Sequence, residues 1–134
     1  MKLANINIII VAEETPRSKY FRDLLVAEFD ADQPVDVVSY EEILSSDKTN
    51  EPALFIIDLM DFDRSAYDAV EELKQTYSSS KIIALHIYQS EELVKPLFER
   101  GADGYISSDP TRKEFFAAVT KVLDGQKYFP DLTV

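Results

Sequence analysis

The stretch FIIDLMDFD, residues 55–63, runs three apolar residues directly into a carboxylate, and two further carboxylates follow. A strand covered on both faces has no packing reason to end on an acid. Asp58 is therefore either a chemical group at a strand end or the polar residue at which the strand meets water.

Composition limits the classes of protein that fit the chain. Its 134 residues, 46% of them hydrophobic, are about one globular domain. The lack of cysteine excludes disulfides, thiolate zinc sites and thiol catalysis. A formal net charge of −11, with no long basic cluster, argues against nucleic-acid binding by this domain. Without a signal-peptide core or a run of ~20 apolar residues, we expect a cytoplasmic protein that does not enter a membrane.

Short β-branched apolar runs alternate along the chain with apolar residues at helical spacing. The runs are continuous, as in strands covered on both faces. They lie at residues 6–11, 35–38, 54–57, 82–85 and 105–106, and the helical stripes at 20–29, 66–77, 93–98 and 115–123, with a weaker helix at 41–46. This alternation predicts an α/β fold, a parallel sheet with helices on both faces.

Prolines and a glycine predict three helix boundaries. Asp109 and Pro110 are expected as the N-cap and first residue of the last helix. Pro96 falls inside the third stripe, so that helix should kink there or begin late, near Lys95. Gly101 follows the same stripe, where a left-handed cap is wanted.

An open parallel sheet binds its ligands beyond the carboxyl ends of its strands. If strands one, three, four and five are neighbours, Glu13, Asp58, His86 and Ser108 face one cleft. The first loop, AEETP, has acids and no glycine, which argues against a phosphate-cradling nucleotide site. Acids at strand ends instead hold a hard cation through oxygen or accept a phosphoryl group.

The chain resembles the receiver domain of bacterial two-component response regulators over about residues 6–125. The resemblance rests on the apolar first strand with its acidic end, on FIIDLM, on ERGADGYIS and on the amphipathic last helix. GADGY with VLDGQKYFPDLT is most like receivers joined to a LuxR-type helix-turn-helix domain. The resemblance implies a doubly wound five-stranded parallel sheet, order 2-1-3-4-5, in a CheY-like, flavodoxin-like three-layer sandwich. It also implies a receiver domain at 1–125 and the start of a linker at 126–134.

Four residues retain the positions that the resemblance makes functional. Asp58 matches the phospho-acceptor aspartate, and Glu13 matches the second of two acids that bind magnesium. Met60 stands where a backbone carbonyl completes the metal site. Tyr105 matches the aromatic residue that reorients on activation.

Four other positions depart from the family pattern. Ala12 replaces the first of the paired acids, His86 replaces a hydroxyl residue, Ser108 replaces a lysine, and Phe62 replaces a proline. Phosphoryl transfer needs a metal and a fixed cation to neutralise charge. Since the lost lysine leaves no protein cation in the cleft, we expect an atypical receiver. The lost acid weakens metal affinity, although Glu13 and Asp58 could still bind magnesium weakly through waters.

Each residue also has a plainer interpretation. Asp58 could cap the next loop or hydrogen-bond to His86, whose cationic form two nearby carboxylates would favour. Glu13 could be a solvated loop acid, and Tyr105 a packing aromatic. Asp61 and Asp63 are expected to be turn residues.

The function that we expect is regulatory rather than enzymatic. An atypical receiver would control transcription through protein–protein contact or dimerisation, without conventional phosphorylation of Asp58. The implied partners are a helix-turn-helix output domain, a second copy of the chain and a histidine kinase. The alternatives are a functional phospho-acceptor with relaxed chemistry and a stand-alone adaptor or sequestering module. The implied contact face comprises the last two helices and the fifth strand, with Leu93, Leu97, Tyr105, Phe115 and Lys121 or their neighbours.

Overall fold

The computed structural model describes residues 7–29, 35–46, 51–60 and 62–130, with five strands and five helices in strict alternation. In chain order the elements are β1 (Ile8–Val11), α1 (Pro16–Phe29), β2 (Asp36–Val38), α2 (Tyr40–Ser45), β3 (Leu54–Asp58), α3 (Ala66–Thr76), β4 (Lys81–His86), α4 (Glu91–Glu99), β5 (Gly104–Ser107) and α5 (Arg112–Leu123). No helix in these ranges is both long enough and apolar enough to cross a bilayer.

The strands form one parallel sheet in the order β2-β1-β3-β4-β5, which confirms the doubly wound arrangement. The register aligns the carboxyl ends of the central strands. Val11 pairs with Ile57, Asp58 pairs with Leu85, and His86 pairs with Ser107. The strand-end residues predicted to share a cleft therefore do lie along one edge of the sheet.

The sheet is buried on both faces, which explains the continuous apolar runs. Alternate residues of β3 face opposite layers: Phe55 and Ile57 pack with α2, α3 and α4, while Leu54 and Ile56 pack with α1 and α5. All four side chains are 0% exposed. Burying one such side chain stabilises the fold by about 1.5–3 kcal/mol, so a charged residue at Ile56 would break the sheet.

The start predicted for α5 is wrong, and so is one of the two alternatives predicted for α4. α5 begins at Arg112 rather than Pro110, because Thr111 is its N-cap and its hydroxyl accepts the N–H of Glu114 at 3.1 Å. This is the usual pairing of a threonine cap with an acid three residues later.

α4 begins at Glu91 and continues through Pro96, so the late start near Lys95 is also wrong. The Ser90 hydroxyl accepts the N–H of Leu93, and the Ser90 carbonyl accepts the N–H of Val94. These caps satisfy the first turn, and the helix tolerates the one bond that Pro96 cannot donate. Gly101 has a φ of 125°, which confirms the left-handed position after this helix.

Candidate functional site

Asp58 ends β3 with a side chain that is 11% exposed. Arg17 Nε donates to Oδ2 of Asp58 at 2.7 Å, and the backbone N–H of Met60 donates to Oδ1 at 3.2 Å. Both carboxylate oxygens therefore have a donor within the protein. Asp63 is exposed beyond this turn, and Asp61 lies outside the described residues.

Arg17 is a residue of the candidate site that sequence reasoning missed. Its Nη1 lies 3.5 Å from Oδ1 of Asp109, and its guanidinium carbon lies 5.0 Å from the ring centroid of Phe21. The expectation that the cleft holds no protein cation is therefore wrong. A cation from α1 spans the ends of β3 and β5, although Ser108, at the expected lysine position, carries none.

The start of α1 places Arg17 in the cleft. The Thr15 N–H donates to Ser18 Oγ at 2.9 Å, and the Ser18 N–H donates to Thr15 Oγ1 at 3.2 Å. These reciprocal bonds cap the helix, and Pro16 occupies its first position. The sequence signal was a cation directly after a helix-starting proline, in AEETPR, but spacing alone does not show which cation of α1 faces the sheet.

The acidic end of β1 offers little to a metal. Ala12 is partly buried, and Glu13 is exposed with no carboxylate partner within the described residues. No group of three or more His, Cys, Asp or Glu side chains in those residues could hold a metal ion. Since the Arg17 guanidinium already lies against Asp58, this donor set does not fit a divalent cation as it stands.

His86 is the last residue of β4, and its imidazole is partly buried. Its buried Nδ1 has no hydrogen-bond partner among the residues that the structure describes, and its ring centroid lies 4.4 Å from that of Tyr88. Burial lowers the pKa of His86 below its ordinary 6.5, and the nearby charge of Asp58 opposes this only in part. The Asp58 carboxylate thus acts in the expected direction, toward cationic His86, but burial outweighs it. The described hydrogen bonds join Asp58 to Arg17 and not to His86.

Tyr105 is fully buried and held at both ends. Its hydroxyl oxygen lies 2.8 Å from the carbonyl oxygens of both His86 and Tyr88, which share its single proton. Burial raises the pKa of Tyr105 well above its ordinary value. The ring thus points inward, against the loop that follows β4.

The predicted contact face is only partly at the surface. Leu97, Tyr105 and Phe115 are 0% exposed and cannot touch a partner in this conformation. These three assignments are wrong because their side chains form the core beneath α4 and α5. Leu93, at 45% exposed, and Lys121 remain accessible.

A pocket of about 240 Å³ opens beside Asp58. Phe62, at the position expected to be proline, packs edge-on against Tyr40 with centroids 5.1 Å apart. Arg64 lies 5.2 Å from the Tyr40 ring centroid, and the Tyr40 hydroxyl donates to Glu72. The Tyr40 and Phe62 rings and the Arg64 guanidinium therefore line the pocket that contains Asp58.

Curated relatives of the chain are regulatory proteins, although no protein-family model matches it. The chain is 27% identical over 93 residues to the oxygen regulatory protein NreC of Staphylococcus epidermidis, covering 69% of this chain and 41% of that protein. It is 27% identical over 78 residues to the transcriptional regulatory protein MctR of Rhizobium johnstonii, covering 58% and 36%. The chain spans less than half the length of these relatives.

Solved structures share the fold. A LuxR family DNA-binding response regulator from Silicibacter pomeroyi matches with a TM-score of 0.79 at 21% identity, covering 96% of this chain and 99% of that one. The isolated REC domain of RcsB from Salmonella enterica serovar Typhimurium, in the apo form, matches with a TM-score of 0.78 at 17% identity, covering 96% and 95%. The chain therefore shares the fold of these solved receiver domains and is similar in sequence to response regulators, in agreement with the strand order and the retained strand-end aspartate.

Proposed function

We propose that this receiver domain regulates by protein–protein contact, without conventional phosphorylation of Asp58. The observation that carries the proposal is the 2.7 Å hydrogen bond from Arg17 to Asp58. A carboxylate must present a free oxygen to attack a phosphoryl group. Here one oxygen binds a guanidinium, and the other accepts a backbone N–H.

The surrounding residues support the same conclusion. Removing one preorganised charge-stabilising donor typically costs a catalytic site about 2.7–4 kcal/mol. His86 stands where a hydroxyl is expected and offers an imidazole that burial keeps neutral. Ser108 stands where a lysine is expected and carries no charge. Several losses at one site lower the phosphorylation rate more than a single one does.

Magnesium binds weakly in this proposal. A divalent cation must displace the Arg17 guanidinium from Asp58, and a hydrogen bond to a charged group is worth about 1.5–3 kcal/mol. Glu13 would then supply the second carboxylate, and the carbonyl of Met60 the third oxygen. Because Arg17 must first leave Asp58, the affinity of the site for magnesium is lowered.

Transcription control through a LuxR-type output domain is the wider role that we propose. The names of the relatives and of the fold neighbours support this role. Because the net charge of this chain is −11, we expect another domain to bind the DNA. The receiver would work in the cytoplasm as a homodimer, with a histidine kinase as a further partner.

The second candidate function is a working phospho-acceptor with relaxed chemistry. Arg17 itself favours it, because the guanidinium brings to the cleft a positive charge that the missing lysine does not. After a swing away from Asp58, Arg17 could contact the transferred phosphoryl oxygens instead.

One experiment separates the two candidates. Incubate the protein with magnesium and acetyl phosphate, then measure its intact mass and the NMR shifts of Tyr105. Our proposal expects no added phosphoryl mass and no shift, as in an Asp58→Asn control. Stoichiometric modification that the control lacks, with movement of the Tyr105 signals, would instead establish the second candidate.

A further inference from the structure

The pocket beside Asp58 lies where the strand order of the sheet reverses. The chain leaves β1 for β2 on one side and returns to β3 on the other. Open parallel sheets bind ligands in the crevice that forms at such a point, beyond the carboxyl ends of the strands. The pocket measures about 240 Å³ and is lined from the β1–α1 loop, the start of α2 and the β3–α3 loop. A single water molecule or ion fills only a small part of this space, so the pocket is large enough for a small organic molecule.

Two aromatic rings give the pocket an apolar wall. The Phe62 ring packs edge-on against the Tyr40 ring, with centroids 5.1 Å apart, and both side chains line the pocket. Ala12 adds a methyl group at a position where the resemblance implies an acid. Aromatic rings bind apolar groups, including other rings, through their faces and edges. This wall therefore suits the apolar part of an organic ligand.

The pocket also contains guanidinium groups with donors to spare. Arg64 is 48% exposed, and its ion pairs with Asp63 and Glu72 are 3.9 Å long, beyond hydrogen-bond distance. Arg17 Nη2 is buried and has no hydrogen-bond partner in the part of the chain that the structure describes. A buried donor without an acceptor costs free energy. These two side chains favour a ligand that carries a carboxylate, which a guanidinium binds through paired hydrogen bonds.

The pocket contains unpaired carboxylates as well. Glu13, in the β1–α1 loop, and Glu41, in the first turn of α2, are exposed, and neither carboxylate has a partner within the described residues. The described lining residues include four acids and two arginines. An organic anion would be repelled by the acids, and an organic cation by the guanidinium groups. A zwitterion avoids both repulsions, because each of its charges can face groups of opposite sign.

We propose that this pocket binds a free α-amino acid with a large apolar or aromatic side chain. The side chain of the amino acid packs on Tyr40 and Phe62, its carboxylate binds Arg64, and its ammonium group lies toward Glu13 and Glu41. Such a ligand gives the domain a chemical input other than a phosphoryl group. The inference goes beyond the proposed function and does not rest on it, since binding requires no phosphodonor.

Three probes of similar shape test the charge assignment: L-phenylalanine, phenethylamine and 3-phenylpropionate. In an NMR titration of the whole chain, L-phenylalanine should shift the amide signals of Glu41 and Phe62 and reach saturation. Phenethylamine lacks the carboxylate and 3-phenylpropionate lacks the ammonium group, so each should bind about tenfold more weakly. The proposal is overturned if either analogue binds as tightly as L-phenylalanine, or if neither L-phenylalanine nor L-leucine binds.

Arg64→Gln locates the site of the carboxylate. This variant should bind L-phenylalanine about tenfold more weakly, a loss of about 1.4 kcal/mol, and should not weaken the binding of phenethylamine. Arg100→Gln is the matched control, because Arg100 is 38% exposed and pairs with Asp68 of α3 outside the pocket. Equal affinities for L-phenylalanine in the two variants would contradict the assigned contact.

Glu41→Gln locates the site of the ammonium group. It should weaken the binding of L-phenylalanine and of phenethylamine alike, and it should not weaken the binding of 3-phenylpropionate. Glu42→Gln is the control, since Glu42 is exposed on the same helix and lies outside the pocket lining. Amide spectra of the free variants show whether the fold is kept. A folded Glu41→Gln variant that binds all three probes as the native protein does would refute the assigned orientation of the ligand.

Discussion

Arg17 Nε lies 2.7 Å from Oδ2 of Asp58, a residue 41 positions further along the chain. The contact sets a cation from α1 against the carboxylate at the end of β3. The side chains are 29% and 11% exposed, so solvent only partly screens the pair.

Replacing Arg17 by glutamine should strengthen magnesium binding. The variant removes the charge that opposes a divalent cation and leaves Asp58 and Glu13 as oxygen donors. A magnesium titration followed by NMR should saturate at a lower concentration than in the native protein. Arg22→Gln is the matched control, since Arg22 is on the same helix, also 29% exposed, and pairs with Glu14. Equal magnesium affinities in the native protein, Arg17→Gln and Arg22→Gln would show that Arg17 does not hinder metal binding at Asp58.

Phosphorylation should require more than restoring the family residues. The triple variant Ala12→Asp, His86→Thr and Ser108→Lys should react slowly with acetyl phosphate, because Arg17 still bonds to Asp58. Adding Arg17→Gln should increase the rate of phosphoryl incorporation, which intact-mass measurement follows. A triple variant as fast as the quadruple one would mean that Arg17 is no obstacle.

The pKa of His86 should lie below 6.5 and fall further in Asp58→Asn. Burial lowers this pKa, while the Asp58 charge raises it, so removing that charge leaves burial less opposed. The chain has a single histidine, so its imidazole signals in an NMR titration are unambiguous. A pKa that rises in Asp58→Asn would contradict the proximity of the two groups.

The same depressed pKa makes stability depend on pH. Neutral His86 contributes its stability fully above the unfolded pKa of about 6.5, and the contribution is lost as pH falls toward the folded pKa. Urea unfolding at about pH 7.5 and about pH 6 should therefore show a larger loss in the native protein than in His86→Gln. An identical loss in both would assign the pH dependence to other groups.

Asp103→Ala should destabilise the fold by about 2 kcal/mol, within the range for leaving a buried donor unsatisfied. Oδ2 of Asp103 accepts the Ile82 N–H at 2.9 Å, and Lys74 and Lys127 also approach the carboxylate. Asp103→Asn keeps an acceptor and should cost less. Urea denaturation measures both, with Asp109→Ala as the control because the Asp109 side chain is 95% exposed.

Self-association through the α4 face should depend on Leu93. Leu93→Asp places a charge on that face and should reduce the solution mass measured by sedimentation at micromolar concentration. Val26→Asp on α1 is matched to it, because both side chains are 45% exposed. A native protein that is strictly monomeric would instead remove homodimerisation from the proposed function.

Local sequence patterns were sufficient for the order of strands and helices and for the position of Asp58, but not for the starts of α4 and α5. Strands buried on both faces must be continuously apolar, and helices between them must carry an apolar stripe. The run at residues 54–57 therefore identified β3 and its acidic end without any tertiary information. The strand order rested on the family resemblance, and the sheet confirms it.

Contacts between distant residues had no such local signature. Which cation of α1 enters the cleft depends on how the helix is rotated against the sheet, and Arg17 meets Asp58 and Asp109 across 41 and 92 residues. The neutrality of His86 likewise follows from burial that the side chain acquires only on packing. Short-range periodicity thus specified the strands, the helices and the position of Asp58. Long-range packing determined which charges surround Asp58, because electrostatic partners are close in space and need not be close along the chain.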